Sequence, residues 1–509
     1  MSNSHDKADS FLAIAPQFHL GKLETESFHP ETNLLSEWAK TDLKKAYTVL
    51  KKIDQDAIEK MQPVLRNLHT LHLKIKATFK HGHKIFLCGC GATGRLSLAL
   101  EALCRQQNPN AQVISFMAGG DVALIKSIES FEDKVDYGAR QLRELGFSEG
   151  DLLISCTEGG ETPFVIGATE ESLKISKNNP YFLFCNPMEL LSKLVERSRQ
   201  VIENPRIEKI EIRTGPMALS GSTRMQASTV LMMGVGLGLM GDYPAFELFQ
   251  AEYEKTKNFL DSLDYGVLKA FTEEESACYA RKEYILYKTQ AHLGISILTD
   301  TAERSPTFSL IPYENEQDAN LIPSLSYLCL KDAKNSEEGW LKLLGRRPRC
   351  LEWPEFNGTI GMKRFLGFDI GQGSEMKRAE RVGAKQHLFE IYQDGMVLNC
   401  RLNNCRAQLN LQEQSILSIH LAIKVLLNAH STLIMGRLGR FNGNIMTWVR
   451  PSNYKLIDRS TRYIQKMLSE QKIKKSYDEI VYASFEMIEE LGPSEPIVLK
   501  VVEKLKKID

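Results

Sequence analysis

Between residues 84 and 225 the chain repeats one design three times: a loop rich in glycine and hydroxyl residues that leads into a helical pattern. The first loop follows the apolar run Lys84-Ile85-Phe86-Leu87 and contains Gly89-Cys90-Gly91-Ala92-Thr93-Gly94-Arg95. The second follows Leu152–Ser155 and reads Thr157-Glu158-Gly159-Gly160-Glu161-Thr162-Pro163, with a proline suited to a first helical turn. The third runs through Thr214-Gly215-Pro216 to Ser220-Gly221-Ser222-Thr223-Arg224-Met225. A strand that feeds such a loop into a helix start makes an anion site, because backbone N–H groups converge where the helix dipole is positive. Gly89, Gly91 and Gly94 permit close backbone approach, and Thr93 adds a hydroxyl. The expected ligands are therefore phosphorylated small molecules.

The intervening sequence keeps a strand–helix rhythm. Strands are predicted at 84–87, 113–116, 152–155, 181–185 and 208–212, and helices at 95–106, 121–131 and 163–176. This predicts an α/β fold with a parallel sheet flanked by helices, and with ligands beyond the carboxyl ends of the strands. Residues 41–80 carry helical apolar spacing, and 222–280 read as a long helical stretch. Ile285–Leu298 weakly repeats Ile85–Leu100 with most glycines lost, which predicts a second sheet domain with a degenerate loop. Residues 1 to about 40 read as a polar arm that needs a surface to lie against. The last stretch is charged and helical, with Ser476 and Glu479 spaced as a capping box.

Bulk properties narrow the function classes. Lys+Arg and Asp+Glu are both 64, so the net charge of zero argues against a nucleic-acid partner. Val230–Met240 is the longest apolar run seen and is about half of the ~20 residues that span a membrane. Met1–Ser10 is polar and lacks a signal-peptide pattern. The ten cysteines are irregularly spaced, and Cys88 and Cys90 have no second pair, so reduced thiols are expected, with no metal and no cofactor. A soluble, cytoplasmic protein is the expectation. After Met117-Ala118-Gly119-Gly120-Asp121 come Glu129, Glu132 and Asp133; Glu129 and Glu132 can share one side of a helix, as a ligand contact or as a solvated face.

The series Gly-Cys-Gly-Ala-Thr-Gly-Arg, Ala-Gly-Gly-Asp, Glu-x-x-Glu-Asp, Thr-Pro-Phe-Val-Ile-Gly and Gly-Ser-Thr-Arg-Met resembles the sugar isomerase (SIS) domain family. Within it the chain is similar to the N-acetylmuramate 6-phosphate etherases and the glucokinase regulatory proteins. Glu24-Thr25-Glu26 with His29-Pro30-Glu31-Thr32, Asp300–Phe308, Gly439–Met446 and Asn453-Tyr454-Lys455-Leu456 extend the resemblance, whereas little is recognised between about 310 and 410. It implies two SIS domains, each a three-layer αβα unit, and a C-terminal helical cap. The expected divisions are an N-terminal arm at 1–45, SIS domain 1 at 46–255, SIS domain 2 at 256–450 and the cap at 451–509.

The resemblance also implies a phosphosugar site. The phosphate would sit on Gly91, Ala92, Thr93, Gly94, Ser222 and Thr223, with Thr157, Glu158 and Gly159 nearby. Glu132 and Glu303 would bind sugar hydroxyls, or act as the catalytic pair if the chain is an etherase, and Arg440 would supply charge from the far side. Two departures stand out: Glu161 replaces an arginine of the etherase loop, and Gln226 stands where the family has lysine. The fused layout favours a ligand-gated regulator of carbohydrate metabolism that binds a hexose phosphate, such as a fructose phosphate, and controls a sugar kinase. The alternative is an etherase that eliminates lactate from N-acetylmuramic acid 6-phosphate in peptidoglycan recycling.

Overall fold

In a computed structural model of the chain, residues 4–383, 385–492 and 495–507 are described, apart from the Glu129 side chain. β1 (Ile85–Gly89), β2 (Val113–Met117), β3 (Leu152–Cys156), β4 (Tyr181–Phe184) and β5 (Glu208–Glu211) form a wholly parallel sheet in the order β2-β1-β3-β4-β5. β1 and β3 are buried along their whole length, which is why they read as continuous apolar runs. The chain leaves β1 toward β2 on one side and places β3 on the other. The crevice between β1 and β3 is thus the topological switch point where open α/β sheets hold ligands.

β6 (Tyr284–Thr289), β7 (Ser326–Leu330), β8 (Gln386–Asp394), β9 (Val397–Leu402) and β10 (Cys405–Asn410) form the second sheet, ordered β10-β9-β8-β6-β7. β6 and the helix Ala291–Phe308 repeat the β1 and Ala92–Gln107 pair. Only β7-β6-β8 is parallel; β8, β9 and β10 run antiparallel. The departure from an all-parallel sheet follows from tight turns at Gly395 (φ +54) and Asn403 (φ +49), which join neighbouring strands directly instead of through a helix.

Helices fill the space between the sheets. Every residue of Gln226–Leu239 is buried, and it packs against Leu43–Glu59, Leu65–Lys80 and Ile416–Arg437. Ile416–Arg437 is long and apolar enough to cross a membrane by composition, and exceeds the Val230–Met240 run; 89% of its apolar window is buried inside the protein. Its inward-facing His420, Asn428 and His430 interrupt the apolar run, so its length was masked in the sequence. All ten cysteines are free.

Two segments join the parts. The arm's first helix, Ser4–Leu12, packs on the helix Tyr477–Glu490, with Ala8, Phe11 and Ala15 against Ile457 and Val481. From the second half, residues 346–356 cross onto the first. Arg346 binds Glu101 (3.0 Å) and Asp121 (2.6 Å), and Arg349 binds Glu101 (2.8 Å). Trp353 and Phe356 then stack around Phe131, with ring centroids 5.5 and 4.9 Å away. This strap alters the expected helix at 121–131. The Asp121 N–H donates to the Arg349 carbonyl (3.1 Å), and Gly119 and Gly120 hold positive φ. The segment therefore follows the strap in two short 3₁₀ turns, Asp121–Leu124 and Glu129–Phe131.

Candidate functional site

A cavity opens at the carboxyl ends of β1 and β3, walled by both halves and by the C-terminal helices. Its floor includes Gly91, Ala92, Gly221, Ser222 and Thr223, and three carboxyls line it: Glu132, Glu158 and Glu303. Gly91, at φ +54, starts the helix Ala92–Gln107 without a side-chain cap. Of this helix start, Gly91 and Ala92 line the cavity, and an uncapped helix N-terminus suits an anion. Ser222 Oγ and Arg224 Nε also line the cavity region; among the described residues both buried atoms lack a hydrogen-bond partner.

Other residues assigned to this cradle shape it from behind. Thr93 Oγ1 accepts from the Cys90 N–H (3.0 Å) and donates to the Cys90 carbonyl (2.9 Å), closing the loop on itself. A Cβ at Gly94 would stand 2.5 Å from Met117 Cβ, so glycine there lets the helix meet β2. Thr157 Oγ1 accepts the Gly160 N–H (3.2 Å) and pairs with Thr162 Oγ1 (2.9 Å), while the Gly159 carbonyl accepts from Asn186 (3.0 Å). None of Thr93, Gly94, Thr157 and Gly159 lines the cavity. Arg440 does not line it either. Its guanidinium lies 3.7 Å above the Trp448 ring, where the stacking holds it on the outer face of that turn.

Glu132 comes from the first half and Glu303 from the helix Ala291–Phe308 of the second. Glu132 Oε2 accepts from Asn453 Nδ2 (3.1 Å), and its Oε1 lies 3.8 Å from Lys455 Nζ. Glu303 Oε1 is 3.9 Å from an Arg95 nitrogen. Burial raises the pKa of both carboxyls, against the pull of Lys455 on Glu132 and of Arg95 on Glu303. Burial also pushes Glu158 up to about 7.

The cationic wall explains both departures noted in the sequence. Glu161 does not line the cavity and pairs with Arg197 (2.7 Å) and Lys455 (2.9 Å). Burial disfavours both charges of the Glu161–Lys455 pair, but mutual attraction outweighs it, holding the Glu161 pKa low and that of Lys455 high. The acid on the loop thus fixes a cation that arrives from the helix Tyr454–Glu470. Gln226 bonds Asp54 (2.5 Å) and the Ala218 N–H (3.1 Å), and the amine beneath this turn is Lys424, on the carbonyls of Arg224 (2.8 Å) and Met225 (3.3 Å). Arg459 also lines the cavity and pairs with the buried Glu26 of the arm, whose Oε2 takes Arg462 at 2.9 Å. A Cβ at Gly221 would fall 2.7 Å from Arg459 Nε, so that glycine admits the helix Tyr454–Glu470. Arg95, Asn453, Lys455 and Arg459 were not singled out as site residues from sequence; Arg224 was read only as part of the third loop. Lys455 and Asn453 carried a signal, since both lie in the motif Asn453–Leu456.

Residues 68–173 match the family model of the glucokinase regulatory protein N-terminal SIS domain. The N-acetylmuramic acid 6-phosphate etherase of Lactococcus lactis subsp. cremoris is 30% identical over 230 residues, covering 43% of this chain and 72% of its own. The etherase of Bacillus subtilis is 30% identical over 296 residues, covering 56% of this chain and 90% of its own. Among solved structures, tagatose-6-phosphate ketose/aldose isomerase from Escherichia coli superposes with a TM-score of 0.43 at 10% identity, over 79% of this chain and 94% of its own. This chain belongs to the SIS-domain family that contains the N-acetylmuramic acid 6-phosphate etherases.

Proposed function

We propose that this chain binds N-acetylmuramic acid 6-phosphate in the cavity between its halves and eliminates lactate from it. One observation carries the reading: Glu132 and Glu303, from opposite halves, line one cavity and are both biased by burial toward holding a proton. The phosphate rests on the Gly91–Ala92 backbone with Ser222 and Thr223. Elimination needs a base for the C2 proton and an acid for the departing ether oxygen, and two carboxyls in different surroundings divide those tasks. The Asn453 donor and nearby Lys455 favour the carboxylate of Glu132, which makes it the base. Glu303, with its cation only at 3.9 Å, is the acid. Addition of water to the unsaturated intermediate runs the same proton transfers in reverse.

A ligand-gated regulator of a sugar kinase is the second reading. It is favoured by the way Lys455 and Arg459 tie the cavity to the C-terminal helices and, through Glu26, to the arm, so that an occupant bears on how these elements sit. Incubation of the purified protein with N-acetylmuramic acid 6-phosphate and an assay for D-lactate separates the two. Release of lactate supports the etherase. No release, with saturable binding of fructose phosphates, supports the regulator. Absence of both overturns phosphosugar binding itself.

The cradle makes its own prediction. Thr93→Val removes both bonds that close the first loop and leaves the Cys90 N–H without its acceptor, a change of roughly 1–3 kcal/mol. Inorganic phosphate is expected to bind about tenfold more weakly to this variant by calorimetric titration. Unchanged affinity removes this loop from the anion site.

A further inference from the structure

The second loop places two glutamates at the site, and their surroundings differ. Glu161 is paired with Arg197 and Lys455. Glu158, 8% exposed, lines the cavity, and among the described residues no lysine, arginine or histidine forms an ion pair with it. Its Oε1 accepts from Ser228 Oγ at 2.9 Å, and that hydroxyl lies 3.1 Å from the Thr223 carbonyl. One hydroxyl therefore separates Glu158 from the turn that presents Ser222 and Thr223.

Several charged or titratable groups face this carboxyl. Lys455 and Arg459 come from the helix Tyr454–Glu470, Glu303 from the second half, Arg95 from the helix Ala92–Gln107, and Glu132 and Arg224 from the neighbouring loops. The thiols of Cys156 and Cys185 lie beneath. The cations are committed elsewhere: Lys455 to Glu161, Arg459 to Glu26, Arg224 to Asp300 (3.1 Å), and Arg95 to the carbonyls of Leu124 (2.9 Å) and Ala123 (3.0 Å). Among the described residues Glu158 is the cavity carboxyl without an ion pair, so a further anion at the adjacent turn is repelled by it when it is charged, and a proton on it relieves that repulsion.

On the anion-binding reading of this cavity, we propose that Glu158 is a proton-carrying contact of the ligand: its carboxyl takes one proton from solvent as the anion binds and donates that O–H to it. The balance is a carboxylate plus a proton plus the free anion on one side, and a neutral acid hydrogen-bonded to the bound anion on the other. Burial, the largest influence on this group, raises its pKa to about 7 and so places the exchange in the neutral range. Glu161, the other acid of this loop, does not supply this proton, because it stays in its ion pairs.

Glucose 6-sulfate is the probe of choice, because its own charge does not change near neutrality. Calorimetric titrations between pH 6 and pH 8.5, in two buffers of different ionisation enthalpy, read affinity and proton uptake together. For wild type, affinity is expected to fall roughly thirtyfold across that range, with close to one proton taken up at the alkaline end. Glu158→Gln is expected to bind with a flat pH profile and no uptake, and Glu158→Asp to keep the uptake. Circular dichroism confirms that each variant is folded. A pH-independent wild type, or uptake that persists in Glu158→Gln, overturns the proposal while leaving anion binding intact. Failure of wild type to bind glucose 6-sulfate and inorganic phosphate at every pH instead overturns the anion-site reading, and this proposal with it.

Discussion

Glu303→Gln is expected to slow lactate release from N-acetylmuramic acid 6-phosphate by about 100- to 10,000-fold, the range for loss of one positioned acid. Substrate affinity is expected to stay within about threefold, since the amide keeps the size and polarity of the carboxyl. The reasoning rests on where the group sits. Glu303 is 6% exposed on a helix of the second half, and burial lifts its pKa, as suits the proposed acid; an amide in its place has no such proton to give. Solvent exchange at C2 distinguishes its role from that of Glu132. With the base intact, Glu303→Gln still exchanges the C2 hydrogen for deuterium in heavy water while releasing almost no lactate. Glu132→Gln loses both exchange and release. Equal rates for wild type and Glu303→Gln sink the acid assignment, and exchange that survives in Glu132→Gln sinks the base.

The site was legible in the sequence only in part. The first sheet was legible because β1 and β3 are buried on both faces and end in loops whose glycines mark close approach, as at Gly94 against Met117. The β8–β10 meander was not, because β10 alternates half-buried and exposed residues of no distinctive chemistry. The hydroxyls of the loops were the ambiguous signal. Thr93 and Thr157 read as ligand donors, yet each satisfies a backbone N–H of its own loop, whereas Ser222 is turned toward the cavity. A hydroxyl beside a glycine turn can do either, and only the backbone path decides. The cations escaped for a different reason: Lys455 and Arg459 lie more than two hundred residues beyond the loops they serve, and no local periodicity links them. Glu161 looked like a lost cation in the sequence; in space it is the group that orients Lys455.

The largest stability change is expected from Arg346→Ala, at about 3–5 kcal/mol, because it leaves two buried carboxylates short of their cation. Arg346 is 8% exposed and joins Glu101 (1%) and Asp121 (2%), so this is an interior pair with little solvent screening. Burial alone would raise the Glu101 pKa, but Arg346 and Arg349 outweigh it and hold the group at about 2, below its ordinary 4.5. The sign of the pH dependence follows. A carboxyl whose folded pKa is depressed stabilises the fold above its unfolded pKa, and that contribution is lost as pH falls from about 4.5 toward about 2. Urea denaturation midpoints of wild type and variant should therefore differ most near neutrality and converge below about pH 4.5. A gap that stays constant to pH 3 contradicts the electrostatic account and leaves lost packing as the cause. The same residue reaches the chemistry. Asp121 opens the segment that ends in Glu132, and the strap that begins at Arg346 stacks Trp353 and Phe356 on Phe131, the residue before the proposed base. Fusion of the two halves thus contributes more than Glu303 to the site: it supplies, in one covalent chain, the clamp that fixes the opposing carboxyl.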